Sequence, residues 1–136
     1  MAQQTKIAVV VRDDLAGWQR VNVTAFLASG ITAAHPELMG EDYVDADGRE
    51  YLPLLGLPVL VFAAPAEDLA RSHARAVGRD LPTAVYSEGM FKTGNDADNR
   101  AVVAERPTDE LDLVGFAVHG PRNAVDKICK GLSLHP

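Results

Sequence analysis

The chain carries one cysteine, Cys129, in 136 residues, and so has neither an intramolecular disulfide nor the thiolates for a zinc site of its own. Aromatic residues are scarce at 6%, with a single tryptophan, Trp18. Positive charge is in deficit: 13 basic against 19 acidic residues leave a net −6. That balance argues against strong nucleic-acid binding. The longest apolar run, Leu57–Ala64, is far short of the ~20 residues a membrane span needs. The polar start, Met1–Lys6, has no signal-peptide pattern, and a cytoplasmic location without a membrane is expected. No two histidines share a ligand spacing, no phosphate-binding Gly-rich loop appears, and no metal or cofactor is expected. What the chain does have is 47% hydrophobic residues, enough for the core of one domain spanning 1–136.

The apolar residues are arranged in alternating blocks. Ile7–Val11 is a β-branched run of the kind buried on both faces of a sheet, ending abruptly at Arg12-Asp13-Asp14. Val23, Phe26, Leu27 and Ile31 then fall at helical spacing, with Asn22 as the cap or a start one turn earlier near Trp18, and a stop at Pro36. Residues 37–56 form an excursion, in which Asp45-Ala46-Asp47-Gly48 predicts a hairpin turn between Tyr43-Val44 and Glu50–Leu52. The same Asp-x-Asp-Gly opens calcium loops, but the later oxygen ligands are missing. Val59–Phe62 is the second strand. A helix follows from Pro65 to Gly78, with Leu69, His73, Ala76 and Val77 facing inward. Thr83–Tyr86 is the third strand, Asn95 caps a short helix, Leu113–Val118 is the fourth strand, and Val125, Ile128, Cys129 and Leu132 mark a last helix. The pattern predicts an α/β domain, a three-layer α/β/α sandwich with a mixed, mostly parallel sheet of about four strands.

Several of these segments resemble a known family. Lys6–Leu15, the Pro58-Val59 strand, Tyr86-Ser87-Glu88-Gly89 and the ending from Val114-Gly115-Phe116 through Val125-Asp126-Lys127 to Leu134 are similar to the type II peptidyl-tRNA hydrolases. The helix with Asn22, Leu27 and Gly30 and the Gly115…Lys127 ending more closely resemble an uncharacterised bacterial branch of that fold, domain-of-unknown-function family two thousand. The resemblance implies the hydrolase fold. It does not carry the activity over: Arg20–Gly30 lacks the family's Lys, Gln and His, and Ser87-Glu88-Gly89 replaces its Asp-Ala-Gly turn.

In open α/β sheets ligands bind beyond the carboxyl ends of strands. The polar ends of the first and third strands therefore define a candidate crevice with Arg12, Asn22 and Ser87 as binding residues, and the expected function is to bind a small polar ligand or a protein partner. Asp13 and Glu88 are the candidate carboxylates for acid–base chemistry in a modified hydrolase, and His119, at the end of the fourth strand, is the candidate base. His73 reads as a core or interface residue, His35 and His135 as solvent-facing, and Cys129 as a small hydrophobe. Trp18, Met39, Tyr43, Leu54, Leu55 and the apolar segment 52–58 exceed what one core needs, so a homodimer is expected.

Overall fold

A computed structural model describes residues 4–136. The first three residues of the polar amino-terminal segment lie outside the described residues. The elements are β1 (Thr5–Arg12), α1 (Gly17–Ala34), β2 (Tyr43–Val44), β3 (Glu50–Tyr51), β4 (Val59–Ala64), α2 (Ala66–Gly78), β5 (Thr83–Ser87), α3 (Asp96–Ala104), β6 (Leu113–Pro121), α4 (Arg122–Ile128) and β7 (Ser133–Leu134). Short 3-10 turns occupy Pro36–Leu38, Glu88–Lys92 and Thr108–Glu110.

Five strands form the main sheet in the order β5-β6-β1-β4-β7. Only β1 and β4 pair in parallel, while β1–β6, β5–β6 and β4–β7 are antiparallel. The expected mostly parallel, four-stranded sheet is therefore corrected to a mostly antiparallel sheet of five. The physical reason lies in β6, which inserts between β1 and β5. A strand covered on both faces is apolar throughout, whichever way its neighbours run. The fifth strand, β7, is two residues long and adds to the edge of β4.

Alternation along β1 divides the core. Ala8 and Val10 join Leu69, Ala76, Phe116, Val118, Val125 and Ile128 on the face covered by α2 and α4. Ile7, Val9 and Val11 join Val23, Leu27 and Ile31 of α1 on the other face. Helix α1 begins near Trp18, with Ala16 as its N-cap, so Asn22 lies inside the helix and caps nothing. Its close seat on the sheet depends on Gly115, where a Cβ would come within 2.8 Å of Val23 Cγ1. Asn95 does cap α3, its Oδ1 accepting from the Asp98 N–H at 2.8 Å. In α2 the inward residues are Leu69, Ser72, His73 and Ala76; Val77 faces outward, contrary to the helical-stripe expectation.

The excursion is a hairpin of its own. Asp45 Oδ1 accepts from the N–H groups of Asp47 and Arg49, Oδ2 accepts from the Tyr51 hydroxyl, and Gly48 takes a φ of +84°. These bonds hold the Asp45 carboxyl below its ordinary range, the Tyr51 hydroxyl acting most strongly, and raise the Tyr51 phenol in turn. The carboxylate is committed to the turn. At the hairpin's base Gly40 N–H bonds Leu54 O and Gly56 N–H bonds Leu38 O, both at 2.8 Å.

Candidate functional site

Because β1 and β5 each run antiparallel to β6, they share one direction without being neighbours, and their carboxyl ends reach the same edge of the sheet. A register shift between Tyr86 and Ser87 bends β5 at that point. The Arg12 guanidinium closes the gap across the end of β6: Nη2 lies 2.9 Å from Glu88 Oε2, and Nε donates to Asp14 Oδ1 at 2.5 Å. Burial by itself would lower the Arg12 pKa, but Asp14 and Glu88 outweigh it and raise the pKa above its ordinary value. Glu88 Oε2 is itself buried against the Arg12 guanidinium, while the rest of the Glu88 side chain stays 44% exposed.

Ser87 is buried, its backbone N–H directed to Met90 Sδ at 3.2 Å. Ser87 and Glu88 line a hollow of about 200 Å³, together with Gly89, Val102, Glu105 and Arg106. On the other side of the Glu88–Lys92 turn stands an aromatic wall. Phe91 meets Trp18 edge-on at 6.1 Å and Tyr86 at 5.2 Å, and Phe26 meets Tyr86 at 6.0 Å. Asn22 lies between Trp18 and Phe26 at the i, i+4 spacing of one helix face. Trp18 and Phe26 stay 65% and 56% exposed, so the wall opens to solvent. Sequence reading placed Trp18 and Phe26 on the helix but missed the wall. Its signal was Tyr86 and Phe91, five residues apart around the Ser87-Glu88 turn.

Asp13 is at this end but does not line the hollow: its backbone is held, N–H to Ala64 O at 2.9 Å and C=O by Arg20 Nη2 at 2.8 Å, while its side chain is exposed. Arg20, which sequence reading did not single out, clamps the turn by also donating to Leu15 O at 3.0 Å and touching His135 Nε2 at 3.1 Å. His135 is thus engaged rather than solvent-facing.

His119 is elsewhere. It pairs with Ile7 at the start of β1, five residues from Arg12, about 16 Å along the strand. The three candidate catalytic residues therefore do not converge on one site. His119 instead packs against His35, ring centroids 4.5 Å apart and tilted by 53°, and His35 Nδ1 lies 3.4 Å from Glu37 Oε2. His119 Nε2 is buried without a hydrogen-bond partner. Burial, then the neighbouring His35, lowers its pKa, with Glu37 pulling the other way. Burial also lowers His73. Cys129 is buried and its thiol is pushed up to about 11 by that burial, the opposite of a reactive cysteine.

The two depressed histidines set a pH dependence. Folding holds them neutral, so the unfolded chain binds more protons once the pH falls below the ordinary histidine pKa of about 6.5. The melting temperature is expected to decline progressively from about pH 6.5 downward and to be flat with respect to these groups above it. His119→Gln should reduce that slope in melts recorded from pH 7.5 to 5.5; an unchanged slope would remove His119 from the account.

The fold and the site define a class: a mixed α/β domain with helices on both sheet faces and a polar hollow at the shared carboxyl ends of two strands. More particularly, the chain belongs to the family described as protein of unknown function DUF2000, whose model matches residues 5–136. It is similar to the solved structure of a protein of unknown function from Agrobacterium tumefaciens strain C58, at 48% identity and a TM-score of 0.96, covering 98% of this chain and 99% of that one. No curated protein matches. Among the described residues no helix is long and apolar enough to cross a membrane.

Proposed function

We propose that the protein is a cytosolic, homodimeric binding domain of the type II peptidyl-tRNA hydrolase-like fold, without that family's catalysis, and that it holds a small polar ligand at the Ser87–Glu88 hollow. Helices packed on both faces of one sheet support the three-layer α/β/α reading. The observation that carries the ligand reading is Glu88, which lines the hollow with 44% of its side chain exposed while its Oε2 is anchored 2.9 Å from Arg12. The ion pair holds the carboxylate in place, and its exposed part suits a hydroxyl or amine donor. Glu105, Arg106 and Asp112 in the same lining offer further polar contacts. At about 200 Å³ the hollow lies below the usual ~300–1,000 Å³ of drug-sized sites, which selects a small molecule. Separation of His119 from Glu88 argues for binding over a modified hydrolase.

The test is an NMR titration with small polar fragments sorted by charge. Neutral or cationic fragments are expected to shift Ser87, Glu88 and Gly89, and Glu88→Gln to abolish the shifts. Glu88 is 44% exposed at its side chain, so that substitution should alter stability by only about 1 kcal/mol or less. Asp13→Asn should likewise leave the melting midpoint nearly unchanged. Unfolding of Glu88→Gln would make the carboxylate a structural partner and end the ligand reading. Hydrolysis of an N-blocked aminoacyl-tRNA is expected to be absent. Turnover near ~1 per second or faster would restore the enzyme.

A further inference from the structure

Helix α2 and the segment 108–113 leave between them a groove of about 570 Å³, the size of a small-molecule site. Leu69, Ala70, Val77, Leu111 and Leu113 supply its apolar lining. Every charged residue on it is acidic: Glu67, Asp109 and Asp112. His73 is part of the same wall and is 6% exposed. Its ring rests edge-on against Phe116 at 5.5 Å, and among the described residues no hydrogen bond reaches either of its nitrogens. The imidazole lines the groove, so whatever occupies the groove can complete its donor and acceptor.

We propose that this groove is a second binding site, adjoining the Ser87–Glu88 hollow at Leu111 and Asp112, and that it takes a small amine with an aromatic or branched apolar body. The imidazole offers one donor and one acceptor at the groove wall. The leucine and valine side chains accept the apolar body, which loses water-exposed surface on entry. Glu67, Asp109 and Asp112 attract an ammonium group and repel a carboxylate of the same shape. A second copy of the chain fits less well, because its net charge of −6 would face this acidic rim.

Two probes with one ring system and opposite charge test the site: tryptamine and indole-3-acetate, titrated into methyl-labelled protein. Tryptamine is expected to give saturable shifts at the Leu69 and Leu113 methyls and at the His73 ring, with indole-3-acetate at least about tenfold weaker. A Glu67→Gln/Asp109→Asn variant should lose the charge preference while keeping the methyl shifts. His73→Phe should weaken tryptamine with the groove otherwise intact. Equal affinity for the two probes, or shifts falling outside the groove, would overturn the proposal. The unsubstituted chain alone decides between them, so the test stands even if a variant fails to fold. Leu69 and Leu113 line only the groove and Ser87 only the hollow, which lets either site fail without the other.

Discussion

Phe116→Ala is expected to lose about 3–5 kcal/mol of stability, a large share of the ~5–15 kcal/mol that holds a domain together. Phe116 is fully buried at the middle of β6, pairs with Val10 of β1 and Val85 of β5, and packs beneath α2 and α4. Its removal leaves a cavity that three neighbouring elements cannot close without shifting the sheet. The same ring shields His73, so water admitted by the cavity should move the His73 pKa back up toward its ordinary value. Urea unfolding measures the first effect and the His73 ring shift against pH measures the second. Phe116→Leu, which keeps most of the volume, should lose much less on both. A stability change under about 1 kcal/mol for the alanine variant would mean that β6 is not buried between β5 and β1 under α2 and α4.

The contrast between β6 and β1 shows what was legible in the residues. Both were recognisable as buried strands, since continuous β-branched and apolar runs report burial directly. Their relative direction was not, because antiparallel and parallel central strands bury the same surface. The order of strands is decided by connections and packing that leave no local mark. The candidate site inherits that division. Arg12 and Glu88 do meet, because β1 and β5 share a direction even with β6 between them. His119 does not join them, because it ends an antiparallel strand at the opposite edge. Of the two starts the residues offered for α1, Asn22 as cap or one turn earlier near Trp18, the earlier one holds: Ala16 starts the helix without a side-chain cap and Asn22 falls between two aromatics. Turn chemistry was the most readable of all: Asp45–Gly48 and Asn95 form the bonds that their sequences imply, since these motifs close on themselves within a few residues.

The chain is expected to behave as a dimer in solution, with a mass of twice 14.6 kDa, and a Leu52→Glu/Leu54→Glu variant as a monomer. The hairpin supplies the reason. Residues 40–52 are exposed throughout, and an isolated two-stranded hairpin is marginal in water unless something covers it. Tyr43, Val44, Tyr51, Leu52 and Leu54 place large apolar side chains on this one unit, Leu52 with 83% of its surface open. The neighbouring Leu55 and Leu57 turn inward onto the α1 side of the core, so the apolar segment 52–58 is only partly accounted for within the chain. Glu41, Asp42, Asp45, Asp47 and Glu50 against the single Arg49 make the hairpin strongly acidic. Two hairpins laid directly together would repel. The two-fold contact expected is therefore a crossed one, each hairpin resting on a less acidic face of the other copy and together burying about 1,200 Å² or more. Light scattering over a hundredfold dilution reads the mass. The glutamate variant should keep its melting temperature at dilutions where the unsubstituted chain has also dissociated, because neither leucine belongs to the chain's own core. A mass of 14.6 kDa at every concentration would leave the hairpin without a second copy as its partner.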